Sequence, residues 1–321
     1  MWPTEDDVRR RFAAARTGRT LAEAALEPLS FADRLAAAVA ARESQVCLGL
    51  DPDPAKLEAP GGAGDHAEAT GVAVADACRR LIEAAAPSCV AAKPQLACFE
   101  RLGAPGWAAL AATVTAAREA GLLVIADGKR GDVPVSAAAY GQALVGSTPV
   151  PGGEVAGLGA DAFTTNPLLG ADALDTMVEA AEAAGAGVFA LVRTSNPGAA
   201  DVLDLPTDAG PVWERLAALV AERSARLAGD GAGEGLSGMG AVVGATEPAH
   251  LARARELMPA AIFLLPGVGA QGGDAAELGI AFSAHPASAL VTASRSIAEA
   301  EDPAAAAERL REVTASIAPG P

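Results

Sequence analysis

Two aspartates flank a lysine and an arginine in residues 127–132, which read DGKRGD. Asp127 and Lys129 are two residues apart, so an extended backbone would project both side chains to the same side of the chain. A carboxylate near the lysine would keep its ammonium group protonated, because an opposite charge nearby favours the charged form. Asp132 is expected further out, on the loop that follows. The segment therefore predicts an electrostatic centre that can repel one charge and donate a proton nearby.

Two further charged residues, Asp51 and Lys93, stand at the ends of apolar runs earlier in the chain. Together with Asp127 and Lys129 they would form an alternating array of carboxylates and ammonium groups. Any one of these residues could equally belong to an ordinary salt bridge at the rim of a barrel. Four of them at three adjacent strand ends favour a catalytic array instead.

The C-terminal half contains a candidate phosphate site in residues 266–274, PGVGAQGGD, and residues 293–297, ASRSI. In α/β barrels, phosphate groups often bind to the loops after strands 7 and 8, where glycine amides and a helix N-terminus approach closely. Arg295 is the one guanidinium placed to pair with a phosphate there. Read alone, the glycine-rich turn could also be a loop that caps a helix.

Residues 193–199, RTSNPGA, would follow the fifth strand and form a polar loop. Ser195 and Asn196 give this loop hydrogen-bonding groups suited to the recognition of an amide. A turn with a capping serine is the simpler alternative and stays open at this point.

Eight apolar runs must position these residues, and an Ala-rich amphipathic stretch follows most of them. The runs are continuous rather than alternating, as expected for parallel strands covered on both faces. They predict a single-domain (β/α)8 TIM barrel. A doubly wound open sheet is the main alternative, but no GxGxxG follows the first strand and polar residues cluster at many strand ends. The runs occupy residues 45–50, 89–93, 122–127, 161–165, 187–192, 240–245, 261–266 and 289–294.

The domain boundaries follow from composition. Residues 1–28 read as an Arg- and Ala-rich helical extension without a chemical signature, and residues 29–315 as the barrel domain. Ser30 is expected to cap the helix that begins the domain. The glycine-rich residues 146–160 and 228–239 contain no Lys or Arg, so we interpret them as surface loops and not as phosphate loops.

Charge and composition exclude several classes of partner. The formal net charge of −16 disfavours nucleic acid and anionic membranes, and aromatic residues are too few, at 3%, to stack many nucleobases. The N-terminal region has no secretory signal, and the apolar stretches are too short or too interrupted to span a bilayer. These features predict a cytoplasmic protein that acts on a small molecule.

Cysteine and histidine usage disfavours metal and redox chemistry. Cys47 and Cys89 lie in apolar runs, which predicts buried, reduced thiols. The three histidines, His66, His250 and His285, do not lie at predicted strand ends and form no HxH or HExxH spacing. No nucleotide-binding fingerprint or Walker motif occurs either. We therefore expect no metal and no cofactor.

The order of these motifs resembles that of the orotidine 5′-phosphate decarboxylase family, in particular its bacterial subgroup with longer chains. The resemblance covers about residues 31–312, and its strongest element is the DxKxxD motif at 127–132. Several ordered motifs at consistent strand ends are far more specific than DxKxxD alone. The other matching segments are LGLD at 48–51, KPQLACFE at 93–100, SNPGA at 195–199, PGVGAQGGD at 266–274 and RSI at 295–297.

The resemblance implies an activity and roles for the charged array. The reaction would convert orotidine 5′-phosphate to UMP and CO2 in de novo pyrimidine biosynthesis, without a cofactor. Lys129 would deliver a proton to C6 of the pyrimidine, and Asp127 would destabilise the substrate carboxylate. Lys93 and Asp51 would hold the charge network and bind ribose hydroxyls.

The resemblance also implies the remaining substrate contacts. Ser195 would hydrogen-bond the pyrimidine amide, and Pro266 would be a further substrate-binding residue. Gln271 would bridge the pyrimidine region to the phosphate, which Arg295 and neighbouring amides would bind. The chain departs from many family members at Ser294, where they have glycine, and at Asn196, where others often carry histidine.

A homodimer is a further implication of the resemblance. In this family the residue at Asp132 reaches into the active site of the partner subunit, and Ser136 is expected to contact the ribose or phosphate region there. Two alternatives to the decarboxylase remain. One is a metal-dependent sugar-phosphate enzyme with a similar DxKxxD signature, such as a hexulose-phosphate synthase. The other is a non-catalytic phosphate-binding barrel.

Overall fold

The structure is a computed structural model of the chain, and it describes four stretches of residues. The predicted helical extension, residues 1–28, lies outside them. The division into this extension and a barrel domain at 29–315 therefore stays a prediction. The described stretches are residues 29–57, 66–245, 248–267 and 275–318.

Eight parallel strands pair side by side and close into a barrel. They are β1 (Val46–Leu50), β2 (Ala91–Pro94), β3 (Leu123–Arg130), β4 (Ala162–Thr165), β5 (Gly187–Arg193), β6 (Ser237–Val243), β7 (Ala261–Leu265) and β8 (Ala289–Ala293). Each strand pairs with the next along the chain, and the last pairs with the first: Cys47 of β1 lies beside Ala91 of β2 and Thr292 of β8. The expected (β/α)8 barrel is confirmed, and an open doubly wound sheet is excluded because the sheet closes on itself.

Helices fill the connections between successive strands and cover the outside of the barrel. They are α1 (Phe31–Arg42), α2 (His66–Ala85), α3 (Leu96–Glu100), α4 (Ala104–Glu119), α5 (Pro134–Leu144), α6 (Ala171–Ala184), α7 (Val212–Ala221), α8 (Pro248–Leu257), α9 (Arg295–Ala298) and α10 (Pro303–Ile317). A 3-10 helix, Ala275–Phe282, lies between β7 and β8. None of the described helices combines the length and the apolar character that a membrane-spanning helix requires.

Burial on both faces explains the continuous apolar strands. Every residue of β1, β7 and β8 is buried. Neighbouring residues of β3 belong to different apolar clusters: Val124 packs with the outer helices, and Ile125 packs with the residues inside the barrel. Cys47 and Cys89 are buried free thiols, as predicted. Burial raises the pKa of Cys47 to about 12, so its thiol stays protonated.

Helix α1 closes the amino-terminal end of the barrel. Ser30 caps it as predicted, since its Oγ accepts a hydrogen bond from the Asp33 N–H at 3.1 Å. The Phe31 ring packs edge-on against Phe189, with 5.8 Å between ring centroids. Gly187, at the start of β5, permits this packing, because a Cβ there would lie 2.6 Å from Phe31 Cδ1. This plug leaves the opposite end of the barrel for the site.

Two predicted loops contain regular structure. Residues 146–160 include a hairpin, Ser147–Val150 paired with Gly153–Ala156, whose turn contains Gly152 at φ 88°. Residues 228–239 include the first residues of β6, which begins at Ser237 and not at residue 240. Ser237 and Gly238, at the start of this strand, are buried but give no apolar signal in the sequence.

Candidate active site

A cavity of about 430 Å³ opens at the carboxyl ends of the strands. Most of the predicted site residues line it, although they come from distant parts of the chain. They are Asp51 after β1, Lys93 on β2, Asp127 and Lys129 on β3, Ser195 after β5, Pro266 after β7 and Arg295 after β8. Barrel enzymes place their active sites at this end.

Asp127 lies at the centre of the charged array and is 4% exposed. Its Oδ2 accepts a hydrogen bond from Lys93 Nζ at 2.6 Å, and its Oδ1 accepts one from Lys129 Nζ at 2.6 Å. The side chain of Lys93 is 8% exposed, whereas that of Lys129 is 39% exposed. Lys129 is therefore the lysine that a molecule in the cavity can reach more readily.

The charges of the array determine its protonation. Burial alone would raise the pKa of Asp127, but the charges and hydrogen bonds of Lys93 and Lys129 outweigh it and lower this pKa to about 2. Burial would likewise lower the pKa of Lys93, but the carboxylates of Asp127 and Asp51 raise it above its ordinary value. At neutral pH the floor of the cavity therefore holds an ionised carboxylate beside a buried ammonium group.

The backbone at Lys129 is left-handed, with φ 47°, and not extended as expected from the sequence. Strand β3 also continues to Arg130 instead of ending at Asp127. Its register against β4 shifts between Ala126 and Arg130. The side chains of Asp127 and Lys129 consequently meet through a local distortion of the strand, and not through the regular alternation that the sequence analysis assumed.

Two polar residues that the sequence analysis did not single out complete the contacts of the carboxylate. Gln95 Nε2 donates to Asp127 Oδ2 at 3.2 Å, and Thr164 Oγ1 donates to Asp127 Oδ1 at 2.9 Å. Gln95 follows Lys93 by two residues, a spacing that could have indicated it. Thr164 lies within the run that forms β4, where threonine is an ordinary strand residue and gives no signal.

Arg130 ties the DGKRGD segment to its surroundings. Its guanidinium pairs with Glu100 at the end of α3 and lies over the Tyr140 ring, 5.7 Å from the centroid. Gly131 packs against the next connection, where a Cβ would come within 2.5 Å of the Asn166 carbonyl oxygen. The segment is therefore held between the connections that follow β2 and β4.

Asp132 and Ser136 are described residues that do not line the cavity of their own chain. Asp132 Oδ1 accepts a hydrogen bond from the Val133 N–H at 2.7 Å. Ser136 lies in the first turn of α5. Both side chains are partly exposed. These two predicted site residues therefore stand apart from the residues that the structure brings together at the cavity.

The candidate phosphate end of the cavity is only partly described. Arg295 is the first residue of α9 and is exposed, and it lines the cavity together with Ser294 and Ser296. Pro266 also lines it from the loop after β7. Gln271 lies outside the described residues, so its expected bridge to the phosphate stays a prediction.

The loop after β5 is polar where it meets the cavity. Thr194, Ser195 and Asn196 line the cavity, and Thr194 Oγ1 donates to Asn196 Oδ1 at 2.7 Å. Arg193 pairs with Asp204 through Nε and Nη2, each at 2.8 Å. This two-pronged ion pair fixes the loop to the end of the strand.

The chemistry available at the site is mainly electrostatic. Within the described residues, no three His, Cys, Asp or Glu side chains come together as ligands for a metal ion. The cavity combines an ionised carboxylate, two lysines, a polar loop and an arginine. Such a site can repel an anionic group near Asp127, donate a proton from Lys129 and bind an anion near Arg295.

Known proteins resemble the chain over most of its length. A protein from Rhodopirellula baltica named orotidine 5′-phosphate decarboxylase is 40% identical over 273 residues, which cover 84% of this chain and 88% of that protein. The solved Leishmania donovani OMP decarboxylase is 32% identical with a TM-score of 0.70, covering 90% of this chain and 99% of that one. Leishmania donovani UMP synthase is 34% identical with a TM-score of 0.71, but the match spans only 57% of that longer chain.

A family model covers the whole barrel. The model described as orotidine 5′-phosphate decarboxylase / HUMPS family matches residues 44–310, from just before β1 into α10. All eight strands and every described residue that lines the cavity fall within this match. The chain therefore belongs to the orotidine 5′-phosphate decarboxylase / HUMPS family.

Proposed function

We propose that this protein is an orotidine 5′-phosphate decarboxylase, which converts orotidine 5′-phosphate to UMP and CO2. The observation that carries the proposal is the buried Asp127 carboxylate, held between Lys93 and Lys129 at the floor of the cavity. The relatives from R. baltica and L. donovani, which match most of this chain, bear the name of this activity.

The chemistry of the reaction suits this electrostatic site. Loss of CO2 from C6 leaves an electron pair in the plane of the pyrimidine ring, where the π system cannot absorb it. Stabilisation must then come from charges that are in place before the reaction. The Lys129 ammonium group supplies such a charge where the pair develops, and it protonates C6. Asp127 repels the substrate carboxylate, and departure of CO2 relieves this repulsion. These steps need no cofactor.

The other site residues bind the substrate in this proposal. Arg295 and neighbouring amides bind the phosphate, and Gln271 bridges from the phosphate to the base. Ser195 hydrogen-bonds the pyrimidine amide, and Pro266 contacts the substrate from the loop after β7. Asp51 and Lys93 hold the ribose hydroxyls. Binding energy from the distant phosphate then helps to assemble the site around the ring.

The biological setting follows from the product. UMP is a pyrimidine nucleotide, so we place the reaction in de novo pyrimidine biosynthesis in the cytoplasm. The formal net charge of −16 repels anions in general. Binding of the phosphorylated substrate therefore depends on the local cations of the cavity.

We further propose a homodimer in which Asp132 enters the cavity of the partner subunit. Asp132 does not line the cavity of its own chain. Four exposed apolar side chains lie close to Asp132 in the sequence or on the connection after β4. Their exposed fractions are 56% for Val133, 86% for Val135 and 54% for each of Leu168 and Leu169. A second copy that covers these side chains would remove them from water.

The decisive experiment compares the parent with Lys129→Ala in a decarboxylation assay that follows the loss of orotate absorbance. We expect the variant to lose at least about a thousandfold in kcat, because both the charge and the proton donor are gone. Arg215→Ala removes an exposed cation that pairs with Glu222 on the outside of the barrel, and it should keep parental activity. Retained activity in Lys129→Ala would overturn the mechanism. A parent that binds UMP but does not turn over orotidine 5′-phosphate would identify a non-catalytic barrel.

The same assay separates the decarboxylase from metal-dependent sugar-phosphate enzymes in the family. Those enzymes stabilise an enediolate with Mg²⁺ and need acidic ligands at the strand ends. Here Lys93 occupies the second strand end, and its ammonium lies 2.6 Å from the Asp127 carboxylate. Unchanged turnover of orotidine 5′-phosphate in excess EDTA is therefore expected.

A further inference from the structure

The left-handed backbone at Lys129 needs a local cause. Only two described non-glycine residues have positive φ, and the other, Glu43, lies at the C-terminal cap of α1. Lys129 instead lies inside strand β3, where such a conformation costs about 1 kcal/mol or more. Since the conformation aims the lysine at Asp127, the contacts that hold it matter for the charged array.

The pairing of β3 with β4 shows where the regular ladder fails. Ala126 lies beside Phe163, but the next aligned pair is Arg130 with Thr165. Four steps along β3 therefore correspond to two steps along β4. The extra residues lie in the part of β3 that contains Lys129, and Lys129 belongs to none of the aligned residue pairs between β3 and its neighbours.

The side chain of Thr164 fills this gap. Its Oγ1 accepts a hydrogen bond from the Lys129 backbone N–H at 2.9 Å and donates one to Asp127 Oδ1 at 2.9 Å. The same Oδ1 also accepts from Lys129 Nζ at 2.6 Å. Thr164 is fully buried, so water cannot readily replace its hydroxyl. One hydroxyl thus joins the backbone of the lysine to the carboxylate that the lysine faces.

We propose that Thr164 is a positioning residue, whose hydroxyl holds the left-handed turn at Lys129 and the orientation of the Asp127 carboxylate for the reaction. It acts through these two residues and does not itself touch the reacting atoms. The proposal rests on the proposed decarboxylase activity for its kinetic consequence. Its geometric part, the hydrogen bond that protects the Lys129 N–H, is independent of that activity.

The test replaces the hydroxyl by a methyl group of similar size. In Thr164→Val, the Lys129 N–H and one Asp127 lone pair lose their partner inside the protein. We expect kcat to fall about 30-fold while the affinity for UMP changes less than about threefold, since misplacement of a transition-state charge affects the chemical step more than binding. Thr164→Ser restores the hydroxyl and should recover kcat to within about threefold of the parent.

A second readout does not depend on catalysis. Hydrogen exchange at the Lys129 amide should be at least about tenfold faster in Thr164→Val than in the parent, and should slow again in Thr164→Ser. Thr113→Val removes another buried hydroxyl, one that donates to the Ala109 carbonyl within α4, and controls for general loss of stability. It should change neither kcat nor exchange at Lys129.

The outcomes distinguish the two proposals. An inactive parent in which Thr164→Val still accelerates exchange at Lys129 would refute the decarboxylase activity and support the positioning role. A folded Thr164→Val with parental kcat, or with unchanged exchange at Lys129, would overturn the positioning role. So would a Thr164→Ser variant as impaired as Thr164→Val.

Discussion

At the scale of single residues, the site depends on the carboxylate of Asp127, which two lysines contact at the same time. Asp127 accepts hydrogen bonds from two lysines, a threonine and a glutamine, and it remains ionised although it is buried. A buried charge of this kind is tolerable only with such partners, because desolvation alone would cost several kcal/mol. Its ionisation in the folded state therefore contributes to stability as well as to the proposed chemistry.

The low pKa of Asp127 predicts a specific dependence of stability on pH. Its folded-state pKa is about 2, below its ordinary value of 3.8, so its contribution is present above about pH 4 and is lost as the pH falls towards 2. We expect the parent to exceed Asp127→Asn in free energy of unfolding at pH 7 by an amount that shrinks by about 1 kcal/mol between pH 5 and pH 3, and by on the order of 2 kcal/mol in total once the pH is below 2. Urea unfolding at pH 7, 5, 4 and 3 measures it.

The control for this prediction is Asp208→Asn, which changes an exposed aspartate with a small expected effect at every pH. If the difference in free energy of unfolding between the parent and Asp127→Asn stayed constant down to pH 3, the lowered pKa of Asp127 would be contradicted.

The sequence revealed the charged members of the array but not the neutral ones. Asp127, Lys129 and Lys93 stand out because charged residues rarely end apolar runs. Thr164 is hidden in such a run, and its partnership with Lys129 arises from a register shift that no local pattern encodes. The left-handed turn at Lys129 is unpredictable for the same reason, since it depends on pairing between two strands.

At the scale of elements, the strands were predictable and the irregular connections less so. Parallel strands buried on both faces leave long apolar runs, and all eight appear near the expected positions. The hairpin at Ser147–Ala156 is exposed along most of its length, so it has no buried face to produce an alternating pattern. The start of β6 was missed because Ser237 and Gly238 are small, not because they are exposed.

Asp33 links α1 to the connection before β6. The residue is 3% exposed, and its Oδ1 accepts hydrogen bonds from the Gly231 and Gly233 N–H groups, each at 2.8 Å. Burial would raise the pKa of Asp33, but these hydrogen bonds and one from Ser30 lower it below its ordinary value. The charged form of Asp33 thus holds helix α1 in place at the amino-terminal end of the barrel.

Asp33→Asn should therefore lower the free energy of unfolding at pH 7 by about 2 kcal/mol, since an amide replaces a carboxylate that receives several N–H groups. The depressed pKa means that this difference should decline as the pH falls below the ordinary value of 3.8. Asp302→Asn is the matched control, because Asp302 caps α10 and asparagine caps a helix about as well. Equal effects of the two substitutions in urea unfolding would contradict the fastening role.

At the scale of the whole molecule, two of the predicted site residues that the structure describes lie outside the cavity of their own chain. Asp132 and Ser136 lie on the segment that leaves β3, next to the exposed Val133 and Val135. In a two-fold dimer that buries this surface, each copy can bring its Asp132 to the other copy's cavity, because every contact in such an interface occurs twice. The dimer is thus a proposal about how the site is completed, and it can be tested through activity.

Mixing two inactive variants tests whether subunits share their sites. Lys129→Ala and Asp132→Ala should each be nearly inactive, but after subunit exchange a hybrid dimer has one site with both residues intact. Equal amounts give hybrids in about half of the dimers, so about a quarter of parental activity should return. Mixing the parent with the double variant Lys129→Ala/Asp132→Ala should also leave about a quarter of the parental sites if they are shared, but about half if each chain completes its own. Subunit exchange is verified by mass spectrometry. No recovery in the first mixture and half of the parental activity in the second would show that Asp132 acts in the cavity of its own chain.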